Sequence, residues 1–138
     1  MIASEIARES VKKHEGLRLQ PYRDTVGKLT IGYGHNLDDR GISQDIADAL
    51  LDEDMEAAEQ DARVLFGLGF DDLSVNRQAV WIELSFQLGY NRLLGFVNAL
   101  AASRAGDHVK CARELENSKW ATQVPKRAAE MIGAYKLG

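Results

Sequence analysis

The sequence has few of the residues that cross-link or interrupt a chain. It contains one cysteine, Cys111, and two prolines in 138 residues. A single cysteine excludes an internal disulfide, so folding in a reducing compartment is expected. A chain of this length buries about two-thirds of its unfolded surface, which is enough for one domain without a cross-link. Because no segment has the composition of a linker, we expect residues 1–138 to form a single domain.

Long apolar runs and metal-ligand patterns are also missing. No segment reaches the ~18 consecutive apolar residues of a membrane span. Acidic residues interrupt the first segment, MIASEIARESVKK, which therefore does not have the pattern of a signal peptide. The three histidines, His14, His35 and His108, lack metal-ligand spacing. We therefore expect a protein made in the cytoplasm that needs neither a metal nor another cofactor.

The sequence has no excess of positive charge. Its 17 basic and 21 acidic residues give a net charge of −4. Twelve of the acids lie in residues 38–72, where only two basic residues occur. Nucleic-acid-binding domains normally carry a basic surface, so the charge balance argues against a dedicated nucleic-acid binder.

Hydrophobic periodicity predicts an α+β fold. Residues 3–15 have helical spacing, with Ser4 as the predicted N-cap and Gly16 as the residue that ends the helix. Residues 17–35 alternate in polarity around the turn DTVG at 24–27, which predicts a β-hairpin followed by a glycine-rich third piece. The remainder is predicted to be helical. We therefore expect a small hairpin lobe packed against a larger helical lobe, with a cleft between them.

Two of the later helices have specific expectations. A helix capped by Ser43 is predicted to bury one apolar stripe, formed by Ile46, Leu50, Leu51, Met55, Ala58, Ala62 and Leu65. A helix from about Ser74 to Gly89 is apolar on nearly all sides, which is typical of a central buried helix. Cys111 has helical spacing with Ala112 and Leu115, so we expect a core position rather than a nucleophile.

Two acids near the N-terminus, Glu15 and Asp24, lie nine positions apart. Glu15 is placed at a helix C-terminus and near an apolar face, and both features disfavour its ionised form, as a general acid requires. Asp24 is placed in a turn, where amides and water favour the ionised form. Two carboxyl groups in unlike environments are typical of glycosidic bond cleavage. The spacing alone leaves open that both are ordinary surface charges.

A longer pattern surrounds these acids in HEGLRLQPYRDTVGKLTIGYGH, residues 14–35. It consists of Glu15-Gly16, Tyr22-Arg23-Asp24-Thr25, Gly27, Thr30-Ile31-Gly32 and Gly34-His35. This pattern resembles the active-site segment of the phage lysozymes of the T-even type, endolysins of glycoside hydrolase family 24. The resemblance continues in FQLG at 86–89, GFVNAL at 95–100 and SKWATQVPKRA at 118–128. The chain departs from the family in its shorter segment NLDDRGIS and in its acidic charge.

The resemblance implies an activity and three catalytic residues. The expected activity is that of an endolysin muramidase, which hydrolyses the β-1,4 bond between N-acetylmuramic acid and N-acetylglucosamine in peptidoglycan. Glu15 would donate the proton, Asp24 would activate the water or stabilise the developing positive charge, and Thr30 would hold the water. The family is regarded as inverting, which implies carboxyl groups about 6.5–9.5 Å apart.

The resemblance also implies supporting residues. Phe86 and Gln87 match a cleft-lining pair, and Asn36 follows His35. All three are candidates for contact with the glycan, although packing alone would also explain them. His35 would pair with Asp54 in a structural contact between the lobes. Arg127 matches an arginine close to the catalytic glutamate, and its charge would oppose the effects argued above for Glu15.

The implied partners are peptidoglycan glycan strands and, for release across the membrane, a holin. The enzyme would act as a monomer and would stay in the host cytoplasm until a holin gives it access to the wall. Two alternatives remain open. One is a lytic transglycosylase, which needs one acid and forms an anhydro product. The other is a non-catalytic wall-binding or virion module on the same scaffold.

Overall fold

The computed structural model describes residues 2–138. Within that range the chain forms eight α-helices and three β-strands. In chain order these are α1 Ala3–Glu15, β1 Arg18–Arg23, β2 Leu29–Gly32, β3 His35–Asn36, α2 Leu37–Arg40, α3 Gln44–Phe66, a 3₁₀ turn Phe70–Asp72, α4 Val75–Leu94, α5 Val97–Arg104, α6 His108–Glu116, α7 Lys119–Gln123 and α8 Pro125–Leu137. The predicted α+β, lysozyme-like class is confirmed.

The chain divides into two compact units, Met1–Ala49 and Leu50–Gly138. The first unit holds α1, the sheet, α2 and the start of α3, and the second holds the other helices. The organisation of residues 1–138 as one domain and the cleft between two lobes stay predictions.

Helix α1 has the predicted bounds but a different cap. Ile2, not Ser4, precedes the first helical residue, so the prediction of Ser4 as N-cap is wrong. The reason is the acid in the first turn: the amide of Ile2 donates to the carboxylate of Glu5 at 3.0 Å. Gly16 follows the helix with a φ of +71°, as its predicted role requires.

The sheet is antiparallel, with strand order β1-β2-β3. Thr30 of β2 pairs with Tyr22 of β1 on one side and with Asn36 of β3 on the other. The predicted turn at 24–27 is confirmed by the bond from the amide of Gly27 to the carbonyl of Asp24, 3.0 Å. Thr30 therefore lies on the central strand, where two neighbours fix its backbone.

Helix α2 was not predicted as a separate element, although the chain after residue 35 was expected to be helical. The side-chain oxygen of Asn36 accepts from the amide of Asp39 at 3.0 Å, which caps its N-terminus. Gly41 ends the helix with a φ of +58°. The signal was present as an asparagine three residues before an acid, followed by a glycine, but four residues are too few to show a period.

Helix α3 buries only part of its predicted stripe. Ser43 caps it as predicted, accepting from the amide of Ile46 at 3.3 Å. Its C-terminal half buries Ala58, Ala62, Leu65 and Phe66. Upstream, the apolar side chains Ile46, Leu50, Leu51 and Met55 are exposed. Periodicity identified the apolar face correctly, but it does not determine how far along a helix that face is covered.

The core of the second unit is built around α4. Ser74 caps this helix, and Gly89, the predicted end, interrupts it with a φ of +78° before helical structure resumes to Leu94. Trp81 and Met131 are buried in this core, and Phe96 is half-buried against it. Cys111 is also buried, and burial raises the pKa of its thiol, which agrees with a packing role. Across residues 2–138, the helices all fall short of the length and apolar character needed to span a membrane.

Candidate active site

Glu15 ends α1, and its side chain lies against the turn between β2 and β3. A Cβ atom added to Gly34 would lie 3.0 Å from Oε2 of Glu15 and 3.3 Å from its Cδ. Gly34 also has a φ of +79°, which side chains rarely adopt. Because Gly34 has no side chain, the Glu15 carboxyl group can pack directly against the turn between β2 and β3. The Glu15 residue is exposed, so its carboxyl group is accessible to a ligand.

Asp24 is held by the backbone of the turn that it starts. Its Oδ1 accepts from the amide of Val26 at 3.0 Å and from the amide of Lys28 at 2.8 Å. Within residues 2–138, no hydrogen bond reaches Oδ2. The residue is half-buried. One oxygen therefore fixes the carboxylate, and the other remains available to accept a proton or a hydrogen bond.

Thr30 lies on β2, between the turn that holds Asp24 and the turn that contacts Glu15. Its side chain is directed into the unit, with 3% of the residue exposed. The hydroxyl donates to the carbonyl of Lys28 at 2.8 Å, which leaves the Oγ1 lone pairs to accept a hydrogen bond. Thr30 is two residues from Lys28 and two from Gly32, or about 7 Å along the strand in each direction.

These three predicted residues belong to the same unit and the same small sheet. Glu15 contacts the turn that follows β2, Asp24 lies in the turn that precedes it, and Thr30 is on the strand itself. The same compact unit therefore carries an exposed acid, a carboxylate fixed by backbone amides and a buried hydroxyl. Glycoside hydrolysis uses a pair of carboxyl groups. The predicted carboxyl separation of 6.5–9.5 Å stays a prediction.

The side chain of Asn36 is used within the first unit. Its oxygen accepts from the amide of Asp39 at 3.0 Å, and its amino group donates to the Asp39 carboxylate at 2.9 Å. Both polar atoms therefore serve the cap of α2. A contact between Asn36 and the glycan stays a prediction, and the backbone is the part of this residue best suited to make it.

The other two predicted contact residues lie in the second unit. Phe86 is 40% exposed and lines a cavity of about 410 Å³ with Met55, Ile82 and Arg127. Gln87 accepts from the indole N–H of Trp120 at 3.0 Å. Its amino group has no acceptor within the described residues 2–138, so it is able to donate to a ligand. Substrate contacts by both residues stay predictions.

Two residues for which other contacts were expected, Arg127 and His35, are hydrogen-bonded within their own compact units. Arg127 donates to the carboxylate of Glu83 at 3.0 Å. The ring Nε2 of His35 is hydrogen-bonded to the carbonyl of Gly41 at 2.5 Å. The pairing of His35 with Asp54 and the closeness of Arg127 to Glu15 stay predictions.

Several acidic and basic side chains around the hairpin were not identified from the sequence. Asp38 accepts from the amide of Leu29 at 2.7 Å and from Arg23 at 3.3 Å, and Lys28 donates to Asp39 at 3.0 Å. The hydrogen bond with Lys28 lowers the pKa of the Asp39 carboxyl group, and the same bond raises the pKa of Lys28. Opposite charges in the two segments were the only signal, because their pairing depends on where α2 begins.

A metal site is not formed by the part of the chain that the structure describes. In residues 2–138, no group of three or more His, Cys, Asp or Glu side chains is arranged to hold an ion. The expectation that catalysis uses the chain's own side chains stays a prediction.

Comparison with known proteins identifies the family. The sequence matches the family described as phage lysozyme over residues 12–131. The chain belongs to the phage lysozyme family. The matched range includes Glu15, Asp24 and Thr30, and it extends through both compact units. Membership in the phage lysozyme family supports a lysozyme-type muramidase, a glycosidase whose substrate is peptidoglycan.

The relatives of this phage lysozyme family member described below have low sequence identity to it, between 24% and 26%. The probable T4-type lysozyme 2 of Dictyostelium discoideum is 26% identical over 159 residues, covering 95% of this chain and 94% of the relative. The probable T4-type lysozyme 1 of the same organism is 24% identical with the same coverage. The pre-baseplate central spike protein Gp5 of Enterobacteria phage T4 is 25% identical over 150 residues, covering 89% of this chain and 26% of that protein.

Proposed function

We propose that this protein is an endolysin muramidase that hydrolyses the β-1,4 bond between N-acetylmuramic acid and N-acetylglucosamine in peptidoglycan. The observation that carries the proposal is the state of Asp24: two amides fix one carboxylate oxygen and leave the other free. This carboxylate adjoins the strand of Thr30, and Glu15 contacts the turn at the far end of that strand.

The reaction begins with proton transfer to the leaving group. Glu15, as the carboxylic acid, protonates the glycosidic oxygen while the bond from that oxygen to C1 of the muramic acid breaks. Positive charge develops on C1 and the ring oxygen, and the Asp24 carboxylate stabilises it electrostatically. Exposure of Glu15 supports this role, because the acid must reach an oxygen in the middle of a polymer.

Water completes the hydrolysis from the opposite face of the sugar. Because the Thr30 hydroxyl donates its hydrogen to the Lys28 carbonyl, its oxygen can orient a water by accepting one of the water's hydrogens. The other water hydrogen is transferred to the free oxygen of Asp24 as the water oxygen bonds to C1. The result is a reducing sugar of inverted configuration.

The proposal also covers glycan binding by three residues and the role of the enzyme in host lysis. Phe86 offers an exposed aromatic face and Gln87 a free amino group, both suited to a glycan; Asn36 would contribute through its backbone. The enzyme would act as a monomer on glycan strands and cause lysis of the host, which requires a holin to give it access to the wall.

Product analysis tests the chemistry. Purified peptidoglycan is digested, and the soluble muropeptides are measured by mass spectrometry and by NMR of the new anomeric centre. Hydrolysis with inversion gives reducing N-acetylmuramic acid, first as the α-anomer. Anhydro-muropeptides would instead assign the protein to the lytic transglycosylases, and a β-anomer would exclude the inverting mechanism.

A second candidate is a wall-binding module of a virion. The match to the central spike protein, a component of a phage particle by its name, favours this alternative. It predicts that the protein sediments with intact peptidoglycan sacculi but releases no soluble muropeptide. Release of muropeptides by the wild-type protein would exclude a purely binding role.

A further inference from the structure

One residue of the hairpin, Lys28, is bonded to both Asp24 and Thr30 through its backbone. Its amide donates to the Asp24 carboxylate at 2.8 Å. Its carbonyl accepts from the Thr30 hydroxyl at 2.8 Å and from the Asp24 amide at 2.9 Å. A displacement of this backbone therefore moves the carboxylate and the hydroxyl together.

Two acidic residues of helix α2 accept hydrogen bonds from the same part of the hairpin. Asp38 accepts from the amide of Leu29, the residue after Lys28, at 2.7 Å. Asp39 accepts from the Lys28 ammonium group at 3.0 Å and from the side chain of Asn36. The cap of α2 by Asn36 thus fixes two acids whose partners are consecutive hairpin residues.

We infer that Asp38 is a positioning residue for the hydrolytic step, acting through Leu29 and Lys28 on Asp24 and Thr30. This inference rests on the proposed function. It concerns the placement of the water, so it predicts an effect on turnover rather than on glycan binding. Within residues 2–138, Asp38 makes no hydrogen bond to the proposed acid, Glu15, or to the side chains of Asp24 and Thr30.

The function of Asp38 depends on its hydrogen-bond acceptor more than on its charge. Its ionic partner, Arg23, has a side chain 67% exposed, so water and salt screen their attraction. Its bond to the Leu29 amide is short and joins α2 to a strand. Asparagine at this position retains an oxygen acceptor of the same reach, whereas alanine retains none.

The test compares Asp38→Ala and Asp38→Asn with the wild type in steady-state assays on solubilised glycan strands. A matched control is Glu116→Gln, which removes an exposed acid paired with Lys136 in the second unit. We expect Asp38→Ala to lower kcat about 10-fold with KM changed less than about 2-fold, because one acceptor is lost. Asp38→Asn and the control should keep kcat within about 2-fold of the wild type.

Amide hydrogen exchange supplies a readout of the bond itself. In Asp38→Ala the Leu29 amide should exchange faster than in the wild type, and the amide of buried Trp81 should be unchanged. Wild-type kcat in Asp38→Ala, or equal losses in Asp38→Ala and Asp38→Asn, would overturn the inference. If the wild type itself released no product, the proposed function would fail, and unaltered Leu29 exchange in Asp38→Ala would separately refute the anchoring by Asp38.

Discussion

At the scale of single residues, the contact between Gly34 and Glu15 carries the most direct prediction. A Cβ at position 34 would lie 3.0 Å from the Glu15 carboxylate oxygen, tighter than most Cβ contacts, so this carboxyl group would have to shift by a few tenths of an ångström. Gly34→Ala should therefore displace the proposed proton donor and lower kcat about 10-fold or more, since small misplacements of catalytic groups are costly. Steady-state assays on solubilised glycan measure the change.

A matched glycine separates this effect from backbone strain. Gly106 has a φ of +76°, close to the +79° of Gly34, but no atom lies within 4 Å of its Cβ position. Both alanine variants should lose stability by about 1–2 kcal/mol, because both force a side chain into a left-handed conformation. Only Gly34→Ala should lose turnover, and an equal loss in Gly106→Ala would contradict the assigned contact.

The sequence predicted the secondary-structure positions of these residues better than their surroundings. Glu15 at a helix end, Asp24 in a turn and Thr30 on a strand all follow from local patterns and are found there. That Gly34 adjoins Glu15 could not be predicted, because the contact joins a helix to a turn 19 positions later and depends on how they pack.

At the scale of elements, a buried polar chain links three helices of the second unit. The Trp81 indole donates to the Ser103 hydroxyl at 3.1 Å, and Ser103 is bonded to the Tyr135 hydroxyl at 2.7 Å. Ser103→Ala leaves the buried indole N–H without its acceptor, so it should cost about 1–3 kcal/mol in unfolding free energy. Chemical denaturation measures this difference.

The same helix bundle offers a matched control. Ser85 is also buried, but its hydroxyl has no hydrogen-bond partner within the described residues 2–138. Ser85→Ala removes a buried hydroxyl without leaving a partner unsatisfied, so its stability should equal or exceed that of the wild type. Equal destabilisation by both serine variants would show that the polar chain adds nothing beyond packing.

The polar chain extends to His108 on a fourth helix, α6, and this histidine makes stability depend on pH. The Nδ1 atom of His108 is 2.9 Å from the Tyr135 hydroxyl. Burial, followed by the nearby Arg77 charge, holds the pKa of His108 below its usual value of 6.5. The unfolded chain then binds this proton more tightly, so stability is complete above about pH 6.5 and falls as the pH drops through the lowered pKa.

Melting temperatures at pH 7.5 and 5.5 check this prediction in the wild type and in His108→Gln. Glutamine can still accept from Tyr135 but does not titrate, so its variant should lose less stability on acidification. An identical change in melting temperature in both proteins would mean that His108 does not couple protonation to folding.

Among the elements, those with a long period or a clear turn were predictable, and the short ones were not. Residues 3–15 and the turn at 24–27 agree with expectation. Helix α2 spans four residues and is fixed by hydrogen bonds to Asn36 and Leu29, which no periodicity reveals. The exposed N-terminal half of the α3 stripe shows the same limit, since coverage of an apolar face depends on tertiary packing.

At the scale of the whole molecule, buried residues are distributed unequally between helices. Helix α1 has no buried residue, whereas α4 buries six, including Trp81, Leu84 and Leu93. A 13-residue helix is only marginally stable without tertiary support. The amides of α1 should therefore exchange through local opening at a lower free energy than those of α4.

Native-state hydrogen exchange across a denaturant series measures both helices in one experiment. Exchange from α1 should be nearly independent of low denaturant, as small local openings are, while α4 should exchange with global unfolding. Equal free energies of exchange in α1 and α4 would contradict this difference in stability.

The central claim is that Glu15 acts as the proton donor of a muramidase, and one comparison tests it most directly. The rate of reducing muropeptide release from purified peptidoglycan is measured for the wild type, Glu15→Gln and Glu9→Gln. Glu9 is a second exposed acid on α1, so it controls for loss of charge on that helix. We predict a loss of about 10²–10⁴-fold for Glu15→Gln and less than about 2-fold for Glu9→Gln. Equal rates for Glu15→Gln and the wild type would contradict the claim.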